Sequence, residues 1–246
     1  MGTNSVRQIQ QALKDKGFDP GGIDGVWGRK TIEAVKQFQS EQRLTVDGIV
    51  GPRTKAALFG AATPATPATP AGPSTPASVA DGLILPWFEE AKHLMGIQEG
   101  PDSIDNPKIL DWARDLEIHY PHDEIPWCGL FVAHCVGATL PEEPLPANPL
   151  GARQWERFGD STQPRVGAVM VFWREPRQKG LGHVGFYVGE DHDGYQVVGG
   201  NQGDRVSLTW MPKNRFLNAH WPKSAAKLTS VAVFKKRNEG FSSNEA

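Results

Sequence analysis

The sequence predicts two folded parts: a small all-α three-helix N-terminal domain, and a larger α+β domain in which helices come first and an antiparallel sheet second. Three observations carry this expectation. The stretch AATPATPATPAGPSTPASVA at residues 61–80 divides the chain. Before it, apolar residues recur at three- and four-residue spacing. After Pro164, short blocks of β-branched and aromatic residues lie between Gly and Asp turns, and helices followed by strands read as α+β.

In the first part, Ser5-Val6-Arg7-Gln8 offers an N-cap with Gln three residues on. Val6, Ile9, Gln10 and Leu13 mark one face, and Gly17 ends the helix. Thr31 to Arg43 repeats the pattern with Ile32, Val35 and Phe38, and a shorter helix begins near Thr54. An internal echo joins them: Asp24-Gly25-Val26-Trp27-Gly28-Arg29-Lys30-Thr31 and Asp47-Gly48-Ile49-Val50-Gly51-Pro52-Arg53-Thr54. Asp-Gly makes a tight turn in each copy, and Thr stands where it can cap a helix. The Ala/Thr/Pro stretch favours extended polyproline II, a semi-rigid spacer of about 3 Å per residue.

The second part is expected to carry helices at Trp87–Gln98, Pro107–Leu116 and Cys128–Val136. Expected strands are Gly167–Trp173, His183–Val188, Tyr195–Val198, Val206–Trp210 and Val231–Phe234, before a polar tail. The boundaries are 1–60 for the helical module, 61–81 for the linker, 82–236 for the α+β domain and 237–246 for the tail.

Composition narrows the function classes. Of 246 residues, 39% are hydrophobic and 22% charged, ordinary for a globular chain, and the net charge of -2 recruits neither nucleic acid nor anionic lipid. No apolar run is long enough to cross a bilayer, and the N-terminus lacks a secretory signal pattern. The expectation is a monomer made in the cytoplasm. Two cysteines, Cys128 and Cys135, lie seven apart in one helix. They stand roughly 10 Å apart along its axis, too far for a disulfide.

Chemistry points to Cys128. A helix N-terminus puts backbone N–H dipoles at the sulfur, which favours the thiolate and can hold an oxyanion. Cys135, between Val132 and Val136, reads as a core residue. A partner base is best presented at a strand start. Among seven histidines, His183 opens HVGFYVG after the flexible Gly180-Leu181-Gly182, whereas His134 is turned away on the Cys128 helix. Asn201, ending YQVVGGN, is the candidate to orient the imidazole from an adjacent antiparallel strand.

WCGLFVAHC, VGAVMVFW, GHVGFYVG and VVGGNQ, in that order, resemble a CHAP domain, a cysteine, histidine-dependent amidohydrolase/peptidase, over roughly residues 82–235. The resemblance implies a papain-like α+β fold, Cys128 as nucleophile, His183 as base and then acid, and Asn201 as orienting residue. It implies no cofactor. Many CHAP members carry Glu two residues before the Asn; here that residue is Gly199. The Asp-rich calcium-binding stretch of some members is missing, and Asp102, Asp105 and Asn106 are too loosely spaced for a metal site. Asp123 and Glu124 are candidates for tuning the site or binding a stem-peptide amine, Trp127 and Trp173 for lining a groove, and Gln202 for holding the active site.

The repeated D-G-x-x-G-x-x-T resembles the three-helix peptidoglycan-binding module, which makes bacterial peptidoglycan the expected partner and Asp24, Trp27 and Asp47 the wall-binding candidates. Together the two resemblances imply a cell-wall amidase or endopeptidase similar to a modular phage endolysin, with a secreted toxin effector as competitor. A zinc amidase built on His119, His122 and Cys128 lacks any H-E-x-x-H. A non-catalytic wall-binding protein is the other alternative.

Overall fold

The computed structural model describes residues 2–60, 84–101, 104–174, 180–225 and 232–241. They fall into two compact units, the first holding 2–60 and 84–86, the second 87–225 and 232–241. The 61–81 linker lies outside the described residues. No helix among those described is long and apolar enough to cross a membrane.

The first unit is the expected three-helix domain: α1 Gly2–Asp15, α2 Arg29–Glu41 and α3 Pro52–Phe59. Val6, Ile9 and Leu13 of α1 meet Ile32, Val35 and Phe38 of α2 in one core, with Trp27, Val50, Leu58 and Ile84. Burying each of the larger side chains is worth about 1.5–3 kcal/mol. Ser5 lies inside α1 rather than capping it. Both long helices close with the same hydrogen-bonded turn. Phe18 N–H reaches Leu13 O (2.9 Å) past left-handed Gly17, and Leu44 N–H reaches Gln39 O (2.8 Å) past left-handed Arg43.

The sequence echo is held by two glutamines that the motif does not contain. Gln10 Nε2 donates to Asp24 Oδ1 (2.9 Å), Val26 O (2.9 Å) and Thr31 Oγ1 (3.2 Å), while its Oε1 accepts from Gly25 N (2.9 Å). Gln39 repeats this with Asp47 Oδ1 (2.9 Å), Ile49 O (2.9 Å), Thr54 Oγ1 (3.3 Å) and Gly48 N (2.9 Å). Thr31 and Thr54 therefore serve these networks. The helix caps are Gly28 and Gly51, each without a side-chain cap bond.

The second unit puts helices before a six-stranded sheet, as expected of α+β. The helices are α4 Pro86–His93, whose first residue belongs to the other unit, α5 Pro107–Asp115 and α6 Cys128–Thr139. The strands are β1 Asp160–Thr162, β2 Val169–Trp173, β3 Gly182–Glu190, β4 Gly194–Gly199, β5 Ser207–Pro212 and β6 Phe216–Trp221. They run in the order β1-β6-β2-β3-β4-β5, antiparallel at every pair. α4 stops short of Gln98 because the chain turns at left-handed Gly96 and bridges Arg205.

Three strands depart from expectation, the first being the short β1, which no sequence block announces. β6, within PKNRFLNAHWPK, has too many polar residues to announce itself, yet it fills the sheet between β1 and β2. The expected strand Val231–Phe234 is no strand in its described part: Phe234 makes one isolated parallel bridge to Glu190, and Val231 lies outside the described residues.

Candidate active site

α6 is buried on nearly every side, with Leu130, Phe131, Val132, Ala133, Cys135 and Val136 all inaccessible to solvent. A helix apolar all round belongs in a core, and this one packs its N-terminus against β3. Cys128 is its first residue and is 3% exposed. Burial raises the Cys128 thiol pKa, opposed by the backbone N–H groups of Val184, Gly129 and Cys128 itself and by the Arg174 charge. The sulfur thus lies at the amide of the residue following His183. The start of α6 must also pass directly under another backbone. A Cβ added to Gly129 would stand 2.2 Å from Pro149 O and 2.5 Å from Leu150 O. Gly129→Ala should therefore cost about 3 kcal/mol or more, read as a melting temperature lowered by roughly 10 °C.

His183 is fully buried at the start of β3. β3 outruns β4 here: their pairing begins at Phe186↔Val198, so Gly182–Gly185 have a strand partner on the β2 side, where His183 lies opposite Phe172. His183 Nε2 is 3.0 Å from Gln202 Oε1. The Gln202 amide is itself oriented, because its Nε2 donates to the Ser207 carbonyl, which can only accept. Oε1 must then face the imidazole, Nε2 of His183 carries the proton, and Nδ1 presents its lone pair. Nδ1 is buried with no hydrogen-bond partner. Burial holds the imidazole pKa down at about 4, with Gln202 opposing and the Arg174 charge adding to the depression. At rest Cys128 is thus a neutral thiol and His183 a neutral imidazole with an unpartnered Nδ1.

Asn201 stands differently from expectation. Continuing the β3–β4 register would set it opposite His183, but β4 ends at Gly199 and Asn201 turns into the left-handed region (φ 55). Its Oδ1 is buried without a hydrogen-bond partner. The imidazole's partner is the next residue. Gly199 leaves the room for it: a Cβ there would meet Gln202 Oε1 at 2.7 Å and His183 Nε2 at 3.1 Å.

Comparison with known proteins adds a family to this geometry. Residues 120–201 match the CHAP domain. Residues 2–58 match a peptidoglycan binding domain. Among curated relatives, N-acetylmuramoyl-L-alanine amidase CwlL of Bacillus licheniformis is 52% identical over 59 residues, 22% of this chain and 16% of the relative. A spore cortex-lytic enzyme of Bacillus cereus is 43% identical over 56 residues, 23% of this chain and 22% of the relative. The amidase CwlM of Mycobacterium tuberculosis is 39% identical over 56 residues, 23% of this chain and 14% of the relative. The chain thus spans less than a quarter of the length of these relatives. No solved structure matches it.

Several expected site residues of the second unit have structural duties. Trp127 is fully buried; its indole donates to Glu99 Oε1 (2.6 Å), and its ring lies tilted against Trp112 (6.0 Å). It is a core residue and lines no groove. A Cβ at Gly200 would stand 2.6 Å from that ring, so the chain leaving β4 needs glycine at 199 and 200 alike. Asp123 is buried, its Oδ2 accepting from Gly100 N (2.9 Å) and Asn106 N (2.7 Å), while Asp105 Oδ1 accepts from Asp123 N (2.8 Å). This latch ties down the stretch before the cysteine and leaves Asp123 unsuited to a substrate amine. Glu124 is exposed, and its charge helps burial raise the Glu99 pKa. Trp173 is half-buried and donates to Asn214 O (3.0 Å); its neighbour Phe172 is the residue across from His183. His134 lies against Trp112 (5.0 Å) and Glu90 (3.5 Å), and exposed His122 faces Asp105 (3.2 Å).

In the three-helix unit, Trp27 is 1% exposed and belongs to the core, while Asp24 and Asp47 are tied into the glutamine networks. The module's surface instead carries an open groove of about 760 Å³ between α1 and α3, lined by Gln8, Gln11, Ala12, Asp15, Leu58 and Phe59 among others. Gln10 reads in the sequence only as a helix-face residue and Gln39 carries no signal of its own, because the networks that use them join residues distant in the chain.

Proposed function

We propose that the chain is a peptidoglycan hydrolase that cleaves amide bonds of the stem peptide through a thioester on Cys128, acting as a modular, endolysin-like enzyme. The observation that carries this reading is the meeting of the α6 N-terminus with β3, where a thiol sits one residue from a buried imidazole with a free Nδ1. The match to the CHAP domain and the names of the amidase and cortex-lytic relatives support the substrate class. The match of residues 2–58 to a peptidoglycan binding domain supports wall attachment.

In this mechanism Cys128 Sγ attacks the amide carbonyl carbon while its proton passes to His183 Nδ1. The first N–H groups of α6 stabilise the oxyanion. As the C–N bond breaks, Nδ1 returns the proton to the leaving amine. Water, giving its proton to Nδ1, then attacks the thioester and releases a carboxylic acid, and the sulfur regains its proton. Gln202 holds the tautomer on which both halves depend.

The test is digestion of purified sacculi by the full chain, with mass spectrometry of the released fragments. Fragments with a new amine and a new carboxyl at one position identify the bond. A thiol alkylator is expected to abolish release, and a chelator to spare it. The opposite pattern would establish the zinc reading, and no release at all a binding protein.

A further inference from the structure

We propose that Arg174 anchors a carboxylate of the substrate beside the scissile amide, and that this carboxylate is the α-carboxylate of the stem peptide's glutamyl residue. This rests on the hydrolase reading above and adds a specificity-determining residue to it.

The hairpin geometry places Arg174. In the β2–β3 register Phe172 faces His183 and Trp173 faces Gly182, and Arg174 N donates to Leu181 O (3.1 Å), continuing the ladder by one more pair. Side chains alternate along a strand, so Arg174 shares a face with Phe172 and therefore with His183. Diagonal neighbours on one face lie about 7–8 Å apart between their α-carbons, well within the reach of an arginine. Its charge is felt by both the Cys128 thiol and the His183 imidazole. Leu181, opposite it, is 46% exposed.

Among the described residues its electrostatic setting is unbalanced. The other polar groups at the site, Cys128, His183, Asn201 and Gln202, are uncharged at rest. Arg153, whose side chain lies against Gly182, is paired with Glu156. Among the described residues Arg174 has no such carboxylate and no side-chain hydrogen bond. A half-buried guanidinium beside a nucleophile, with a fork geometry matched to carboxylate, is suited to a ligand that brings the negative charge. The stem peptide supplies one. Its glutamyl residue lies within one residue of the muramoyl–alanine amide and of the first peptide bonds, and its α-carboxyl occurs either free or as a primary amide.

The experiment uses the full chain and two soluble muropeptides differing only in that group, carboxylate against carboxamide. Wild type is expected to prefer the carboxylate by about tenfold or more in kcat/KM, expressed mainly in KM. Arg174→Ala should bring the ratio to within about twofold of one, and Arg174→Lys should keep part of it. The ratio cancels any effect of the arginine on the thiol, because that effect is common to both substrates. Arg174→Gln supplies the same measurement should the alanine variant fold poorly. A wild-type ratio near one, or a ratio that survives in the alanine and glutamine variants, would overturn the assignment. Cleavage of neither substrate by wild type would overturn the hydrolase reading along with it, a result distinguishable from loss of selectivity alone.

Discussion

Cys128→Ala is expected to lower the rate of wall digestion by about 10³-fold or more while leaving the fold in place. The size of the effect follows from the role proposed for Cys128. No other described thiol can replace it: Cys135 is seven residues on, fully buried in the middle of α6, and its pKa is pushed well up by burial. The cost to stability is small by comparison. Removing one buried sulfur leaves a cavity smaller than a methylene pair, worth about 1–2 kcal/mol. Turbidity loss of purified walls measures the rate, and a thermal melt checks the fold. A folded Cys128→Ala chain with activity within tenfold of wild type would sink the mechanism. Cys135→Ala is the internal control, since it alters the same helix and removes the same atom but sits away from His183. It should lower the melting temperature and leave the rate per folded molecule near that of wild type.

The parts of this architecture legible in the sequence are those determined by local periodicity. α2 shows its face in Ile32, Val35 and Phe38, and β3 declares itself through HVGFYVG between glycine-rich turns. Cys128 could be placed at a helix start because Pro126 and the apolar run after it are adjacent in the chain. What stayed hidden depends on partners far away. β6 carries Asn218 and His220, and only its pairing with β1 and β2 makes it a strand. Trp127 looks like a groove residue beside a nucleophile until Glu99, 28 residues earlier, is found to accept its N–H. Asp24 and Asp47 look like surface binding groups until Gln10 and Gln39 reach across to them. That Gln202 rather than Asn201 meets His183 Nε2 goes with one backbone angle, a left-handed residue after two glycines, which a strand pattern does not reveal.

Gln202 is where the second large effect is expected. Gln202→Ala removes the acceptor that keeps the proton on His183 Nε2, so the tautomer with a free Nδ1 loses its preference and the rate should fall by roughly 10²-fold. A structural residue could give the same loss, so the informative variant is Gln202→Glu. In wild type, burial holds the imidazole pKa at about 4 against the smaller upward pull of the Gln202 hydrogen bond. Nδ1 accepts the thiol proton only while unprotonated, so the acidic limb of kcat/KM should lie near that value, and activity should persist well below pH 6. A carboxylate at 202 favours the imidazolium and should move the acidic limb up by about two pH units. The same shift has a thermodynamic counterpart. The unfolded chain binds the histidine proton near pH 6.5 and the folded chain only near 4, so wild type should lose stability as pH falls between those values. Raising the folded pKa narrows this window, and Gln202→Glu should lose less stability over the same interval, even if its stability at pH 7 is lowered by the lost hydrogen bond to Ser207. An acidic limb that stays in place in Gln202→Glu, or full activity in Gln202→Ala, would show that Gln202 merely packs against the imidazole and that another group sets its proton.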